Sequence, residues 1–461
     1  MVWRAASRCR LRKMLRSGVL ASRDFRLLFA GRSISLLGDG AFLVALAWQA
    51  YTISNAPSAL ALLGIAMTVP LIALLLFGGV VSDRHSRRRV MLLADLMRAV
   101  LLALLAALAI SGTLRLWQMM VLVALYGGAQ AFFDPASDAI LPELLPEWQL
   151  GQANALEQVM RPLALRLAGP AVGGVLVGVL GPGSAFLADG ATFLASAATL
   201  WSMSTKDPAA RVHAHTRARR GAEDHNQHAE NRCTDKRWAL ASSGELREGF
   251  AYVRRHVWLW GTFASAGIAY LLFMGPAEVL LPFMVKHILG GSGVQLGLVL
   301  GAGGLGSVAC ALAMVRSGLP SRSITFIYGV WALATLAVAG YGLASAIWQL
   351  MLASLAFNLL ETAGTIVWAT IKQRHVPGHM LGRVSSLDWL ISIGLLPVSF
   401  ALTAPLSATF GVRATLIGAG LAGAAATLGG LLLPGMRAVD RTLSPTGRSA
   451  ISAPASAAGT T

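Results

Sequence analysis

Blocks of about 20 mostly apolar residues recur from Leu27 to Pro434, separated by short polar joints. A helix needs that length to cross the hydrocarbon core of a bilayer, because a rise of ~1.5 Å per residue has to cover ~30 Å. Charged residues make up 13% of the 461 and apolar residues 55%. A soluble globular chain carries roughly 25% charge, so this chain cannot cover a soluble surface of its size. The blocks predict helices near 27–52, 58–82, 90–111, 116–140, 153–180, 184–203, 257–283, 293–315, 323–342, 347–371, 383–408 and 412–434. The expected fold class is an all-α polytopic membrane protein with twelve transmembrane helices.

A net charge of +17 raises the question of nucleic acid, and its distribution answers it. With the N-terminus in the cytoplasm, 31 of the 38 Lys and Arg lie on the cytoplasmic side. Three (Arg115, Lys286, Arg413) lie outside and four (Arg32, Arg98, Arg161, Arg166) within helices. This is the positive-inside pattern, with both termini cytoplasmic. The basic balance therefore reports topology in a cytoplasmic (inner) membrane, and no nucleic-acid partner is expected. Cys9, Cys233 and Cys310 imply no disulfide framework. Residues 1–26 read as an uncleaved basic arm, since no apolar core precedes a small-residue cleavage site.

The remaining chain divides at one long polar stretch. Residues 27–205 are expected to form one six-helix bundle and 249–435 a second. The linker at 206–248 is too polar to bury a core and is expected to be largely disordered, as is the tail at 436–461. From Gly244 to Trp260 charged and apolar residues alternate at helical spacing, which predicts an interfacial helix leading into helix seven. The halves look related. Residues 146–157 and 377–388 match at a constant offset of 231, sharing Pro, Leu, Gly and Leu and ending in Glu157 and Asp388. Two parallel six-helix repeats around a central site is a transporter architecture.

The loop between helices two and three reads Gly78-Gly79-Val80-Val81-Ser82-Asp83-Arg84-His85-Ser86-Arg87-Arg88-Arg89. It resembles the signature of the major facilitator superfamily, G-x-L-a-D-R-x-G-R-[KR]. Gly79, Asp83, Arg84, Arg87 and Arg88 fall on key positions; Val81 replaces the usual Leu and Ser86 the second Gly. Gly79 is expected to let helix two pack closely on a neighbour. Asp83 sits where it can face the positive end of another helix. The resemblance implies that this helix is the eleventh, where Arg383 is a further partner. Such a clasp would hold the cytoplasmic side closed, and Asp95 and Arg98 are expected to brace it.

Helix five carries Arg166-Leu-Ala-Gly169-Pro170-Ala-Val-Gly173-Gly174, which resembles the antiporter motif of the same superfamily, with Leu165 in place of its first Gly. Pro170 removes a backbone donor, and the glycines admit a close neighbour. The resemblance implies export. The Arg found in helix four of many proton antiporters is absent, since that region reads Leu122 to Gly128 without charge. Together with Phe25 to Gly31, Leu37 to Gly40, Phe132 to Ala136, Leu141 to Leu144 and Leu381 to Val384, these motifs look like the third drug:proton antiporter family, which includes macrolide efflux proteins and the enterobactin exporter.

A charge at mid-bilayer costs ~2.5–3.5 kcal/mol on insertion scales. Asp39 and Glu361 lie about halfway along helices one and ten, and are candidates for proton coupling or substrate binding. Fixed structural pairing is the alternative for each. Arg166 is expected to neutralise Asp39 or an anionic substrate. Glu157 and Arg161 share a helix face and read as a structural pair. Asp189, Glu278 and Asp388 have open roles. Phe132, Phe133, Trp48, Trp368 and Trp389 are each either drug-pocket lining or packing. His213, His215, His225, His228 and Cys233 match no standard zinc spacing, so no metal is expected. No nucleotide-binding loop is present, so no cofactor is expected. The loops are too short and too poor in His, Ser or Cys clusters for an enzyme. The expected function is secondary active export of an amphipathic small molecule by alternating access, with protons as the exchanged partner. The expected unit is a monomer in the lipid bilayer. The alternatives are a passive or importing facilitator of the same fold and a non-transporting sensor.

Overall fold

A computed structural model describes residues 19–204, 250–317, 320, 322–437 and 440. Most of the basic arm, the central linker with its histidines and the tail lie outside the described residues. So do the side chains of Asp83, Arg383 and Trp389, and with them the Asp83–Arg383 clasp.

The chain runs through helices α1 (Arg23–Ile53), α2 (Pro57–Arg84), α3 (Arg87–Ile110), α4 (Leu116–Leu144), α5 (147–180), α6 (Pro182–Trp201), α7 (Val257–Phe283), α8 (Gly293–Ser317), α9 (Ser323–Leu343), α10 (Ile347–His375), α11 (378–410) and α12 (Val412–Gly430). No strand occurs among the described residues. Among the described residues eleven helices are long and apolar enough to cross a membrane. The exception is α6, whose 20 residues include Asp189 and several hydroxyls. Residues 250–255 are helical and end at His256, just before α7, where the interfacial helix was expected.

The side chains are arranged as lipid demands. On α3, Leu93, Val100 and Leu104 face outward, while Asp95 and Arg98 are 0% and 3% exposed. A soluble helix would have the reverse pattern, because its charges would face water.

Packing repeats with a period of six helices. The pairs α1–α6, α2–α4, α3–α6, α3–α4 and α1–α5 have counterparts in α7–α12, α8–α10, α9–α12, α9–α10 and α7–α11. The two most extensive contacts between the groups, α5–α8 and α11–α2, are themselves counterparts. The details repeat too. Helices α4 and α10 are both 29 residues long, offset by 231, and in each a glutamine, Gln118 or Gln349, accepts from the backbone N–H three residues earlier. The α5–α6 and α11–α12 turns are made by Gly181 and Gly411, at φ 84° and 82°, values that cost a Cβ-bearing residue strain.

The fifth helix of each group is interrupted at corresponding places. In α5 a π-helical stretch, Pro162–Ala168, separates Glu147–Arg161 from Gly169–Leu180. In α11 the break lies at Leu395, between Gly378–Gly394 and Leu396–Phe410. Pro170 has no N–H to return to the preceding turn, so carbonyls near Leu165 and Arg166 lose a donor. Glycines approach from both sides. A Cβ at Gly40 of α1 would lie 2.5 Å from Leu165 O, and one at Gly304 of α8 2.2 Å from Arg166 O.

This seam continues toward the end that carries the α1–α2 and α7–α8 turns. A Cβ at Gly174 would meet Gly297 Cα at 2.7 Å, and one at Gly178 would meet Val294. Gly169 and Gly173 face α1 instead, against Gly40 and Ala41. At the same end Tyr51 OH donates to Val279 O at 2.6 Å and Lys286 Nζ donates to Thr52 Oγ1 at 2.8 Å. Close small-residue packing of this kind holds helices together where lipid offers no hydrophobic drive.

Gly79 does not have its expected role. A Cβ there meets nothing within 4 Å, whereas one at Gly78 would lie 2.0 Å from Ala131 O of α4. The close approach of α2 to α4 is made one residue earlier. At the α5–α8 seam, Gly297→Val is expected to force the helices apart, at a cost of ~1–3 kcal/mol. Spin labels on Asn55→Cys and Ser292→Cys, in a background lacking the native cysteines, should report a longer separation than in the Gly297 parent. An unchanged distance distribution would rule out glycine approach as what sets the seam.

Candidate functional site

The interior of the first helix group collects charge around Arg98. Its Nη2 donates to Asp95 Oδ1 at 2.5 Å. Its guanidinium sits between Phe133 of α4 and Phe193 of α6, 4.4 and 4.2 Å from their ring centroids. Those ring faces stabilise a cation that lipid cannot solvate. Asp39, one helix away on α1, accepts a hydrogen bond from Tyr126 OH and interacts electrostatically with Arg98. Asp189 of α6 is 0% exposed and accepts from Thr192 Oγ1 at 3.1 Å. It fits there because Gly38 of α1 lacks a Cβ, which would stand 2.2 Å from Asp189 Oδ1. Oδ2 of both Asp95 and Asp189 lacks a hydrogen-bond partner among the described residues.

Three carboxyls thus gather around one guanidinium inside the bundle. A cavity of about 180 Å³ opens beside them, lined in part by Asp39, Tyr126, Gln130, Asp134 and Arg161. A water needs roughly 10–15 Å³ of such volume, so a hydrated path to Asp39 has room.

The loop residues act elsewhere. Asp95 and Arg98 point into this interior and do not brace the α2–α3 loop. Arg87 Nη1 pairs with Glu143 Oε1 at 2.8 Å and donates to Ala139 O at 2.5 Å, in the last turns of α4. Arg88 donates to Leu200 O and Trp201 O at 2.7 and 2.5 Å, at the end of α6. Both therefore satisfy the negative ends of helices within their own group. Arg84 is exposed on the last turn of α2. Glu157 pairs with Arg32 of α1 at 3.1 Å, and Arg32 also donates to Ser137 Oγ at 2.6 Å, so α1, α4 and α5 are tied together. The pairing of Glu157 with Arg161 expected from their spacing is replaced by this one.

Arg166 does not reach Asp39. It lies in the π-helical stretch of α5, and its Nη1 crosses to Glu361 Oε2 of α10 at 3.2 Å and Asn358 Oδ1 at 3.3 Å. Glu361 Oε1 accepts from Thr365 Oγ1 at 2.9 Å. Two of the sequence candidates therefore pair with each other across the two helix groups, while the third sits in a separate cluster. Asp388 belongs to neither; it is held by Lys372 and by Trp368 Nε1 of α10, the latter at 3.0 Å.

Among the described residues α4 carries no arginine, and the buried guanidinium beside it is Arg98 of α3. Asp189 and Tyr126 were not identified as its companions from sequence, because nothing local shows that α1, α4 and α6 meet there. Of the aromatic candidates, Phe133 lines the cavity, Trp48 lies under Lys286 Nζ at 4.6 Å, and Trp368 is core.

A sequence model described as Major Facilitator Superfamily matches residues 28–395. The multidrug efflux pump Tap of Mycobacterium tuberculosis is 25% identical over 433 residues, covering 90% of this chain and 94% of that protein. Macrolide efflux protein A of Streptococcus pyogenes is 29% identical over 158 residues, 34% of this chain and 38% of that protein. The crystal structure of a bacterial homologue of the iron transporter ferroportin, in an inward-facing state, superposes with a TM-score of 0.63 at 16% identity, covering 90% of this chain and 100% of that one. At that identity the likeness is one of fold.

Removing the shared cation should cost more than removing one acid. Arg98→Met leaves three carboxyls uncompensated and is expected to destabilise the protein by ~3–5 kcal/mol. Asp95→Asn leaves Arg98 still facing Asp39 and should cost less. Thermal unfolding of the two variants in detergent gives the order directly.

Proposed function

The chain belongs to the Major Facilitator Superfamily, and from that premise we propose that it is a secondary active exporter of an amphipathic small molecule, driven by exchange for protons. That it is a membrane transporter and not an enzyme follows from the family. Export, proton exchange, a monomeric working unit and the orientation are the proposal.

The observation that carries it is the meeting of Asp39, Asp95 and Asp189 around Arg98 beside a cavity. With all four ionised, the cluster holds an excess of negative charge that the bilayer interior cannot solvate. A bound proton removes part of that excess, and of these three carboxyls Asp39 is the one that lines the cavity. A proton taken from one side and released to the other is what exchange requires. The similarity to the efflux pump Tap along most of both chains supports the outward direction.

Orientation follows from charge. The basic end bears Arg84 to Arg89, Lys372 and Arg374, and by the positive-inside rule it faces the cytoplasm with both termini. The glycine seam then lies on the outer side, and the conformation is closed outward. In this reading α6 is the twelfth crossing, running from the turn at Gly181 to the carbonyls that Arg88 holds at the basic end. Residues 27–205 and 249–435 move as two bundles about the Arg166–Glu361 contact, and Asp83 with Arg383 closes the cytoplasmic side in the opposite state.

The test is transport in vesicles with an imposed pH gradient, screened against dyes and antibiotics. Asp39→Asn is expected to abolish gradient-driven accumulation while leaving substrate counterflow within about tenfold of the parent. If no compound moves under any gradient, with folded protein confirmed, the exporter reading is wrong. If the parent itself moves substrate without regard to the gradient, the chain is a passive facilitator.

A further inference from the structure

The second helix group contains a cavity that the proton cluster does not use. Helices α7, α9, α10 and α12 enclose it, and five aromatic side chains wall it: Tyr270, Phe273, Tyr328, Trp331 and Phe357. Phe273 and Phe357 meet edge to face with centroids 5.9 Å apart, and Tyr270 lies 5.7 Å from Phe273. Glu361 is the one acidic or basic side chain in the described lining.

The aliphatic hydroxyls of the wall and that of Tyr328 are already engaged. Tyr328 OH donates to Thr262 Oγ1 at 3.0 Å, Ser265 Oγ donates to Ala426 O at 3.2 Å, and Thr427 Oγ1 donates to Gly423 O at 2.8 Å. Two donors remain, Tyr270 OH and Trp331 Nε1, both on the edges of rings, and the described lining holds no cationic side chain that would pair with an anion. What the wall offers is ring faces and one carboxylate, the recognition chemistry of an alkylated ammonium ion. The cavity holds about 40 Å³, a volume suited to a compact head group rather than a whole drug-sized molecule.

One residue sets the width. Trp331 of α9 lies directly over Gly364 of α10, where a Cβ would stand 2.3 Å from the indole Nε1 and 2.5 Å from Cδ1. The indole reaches its place because residue 364 has no side chain. At the rim, Glu361 is held by Arg166 from the other helix group. A ligand cation entering the cavity competes with Arg166 for that carboxylate, and its binding releases the ion pair between α5 and α10.

We propose that this aromatic cavity is the binding site for a tertiary or quaternary alkylammonium group, which takes Glu361 from Arg166 as it enters. The proposal rests on the export reading only for its purpose, because binding is measurable without a gradient.

The experiment is equilibrium binding to the full chain in lipid nanodiscs of benzyltrimethylammonium, its neutral carbon isostere neopentylbenzene, and the anion phenylmethanesulfonate. The cation should bind at least roughly tenfold more tightly than the isostere. Glu361→Gln should remove that preference. Arg166→Gln should tighten cation binding severalfold, because it removes the competitor. Gly364→Ala should weaken binding by driving the indole into the cavity. Equal affinity for cation and isostere overturns the proposal, as does weaker cation binding in Arg166→Gln or preferential binding of the sulfonate. A chain that binds the cation as described yet transports nothing would sink the export reading and leave this site standing.

Discussion

The architecture turns on a hydrogen bond that Pro170 cannot make. A proline inside a membrane helix leaves carbonyls without donors, and in lipid that deficit has to be met by protein. Here the helix relaxes into a π-helical stretch, and glycines of α1 and α8 bring their backbones against it from two sides. Weak Cα–H to carbonyl contacts and close dispersion replace what the proline removed. The same relaxation places Arg166 where it reaches α10. The stretch before Pro170 therefore carries both one of the seams between the two helix groups and the arginine that reaches across it.

The two groups share a contact plan but not a chemistry. The first packs charge inward: Asp39, Asp95, Asp189 and Arg98, with rings on both faces of the guanidinium. The second packs rings around a nearly chargeless space and keeps its carboxylate at the rim. Backbone geometry repeats because lengths, caps and turn glycines repeat, down to the matched glutamines at the starts of α4 and α10. Side-chain chemistry is free to diverge, since each bundle needs only that its polar groups be satisfied internally. The proposed roles follow that split, with proton exchange assigned to the first group and ligand recognition to the second.

Several readings from spacing alone were displaced by neighbours that spacing cannot see. Glu157 and Arg161 are four residues apart, yet Arg32 from α1 takes the glutamate, because a third helix offers a better approach than the pair's own surface. Arg87 and Arg88 sit in a loop motif that suggests a clasp between groups. They instead hold the carboxyl ends of α4 and α6, where unsatisfied carbonyls are the nearest demand. Gly79 carries the motif, but Gly78 makes the contact, since one residue turns the helix by about 100° and changes which neighbour is met. The aromatic cavity had only a faint sequence signal, Phe357 and Glu361 on one face of α10.

By itself the sequence determined that this chain lives in a membrane as long helices, that one end is basic, that a six-helix unit occurs twice, and that a few acids and arginines lie at depths where they need a reason. These are local or periodic properties: block length, charge placement and a constant offset of 231. Tertiary structure alone decided the partners. Arg166 meets Glu361 and not Asp39, Arg98 gathers three acids from three helices, and Trp331 rests on Gly364. Each depends on how neighbouring helices are rotated and how closely their backbones approach. Helix rotation is the sum of many small packing terms spread along the chain, and no single motif encodes it.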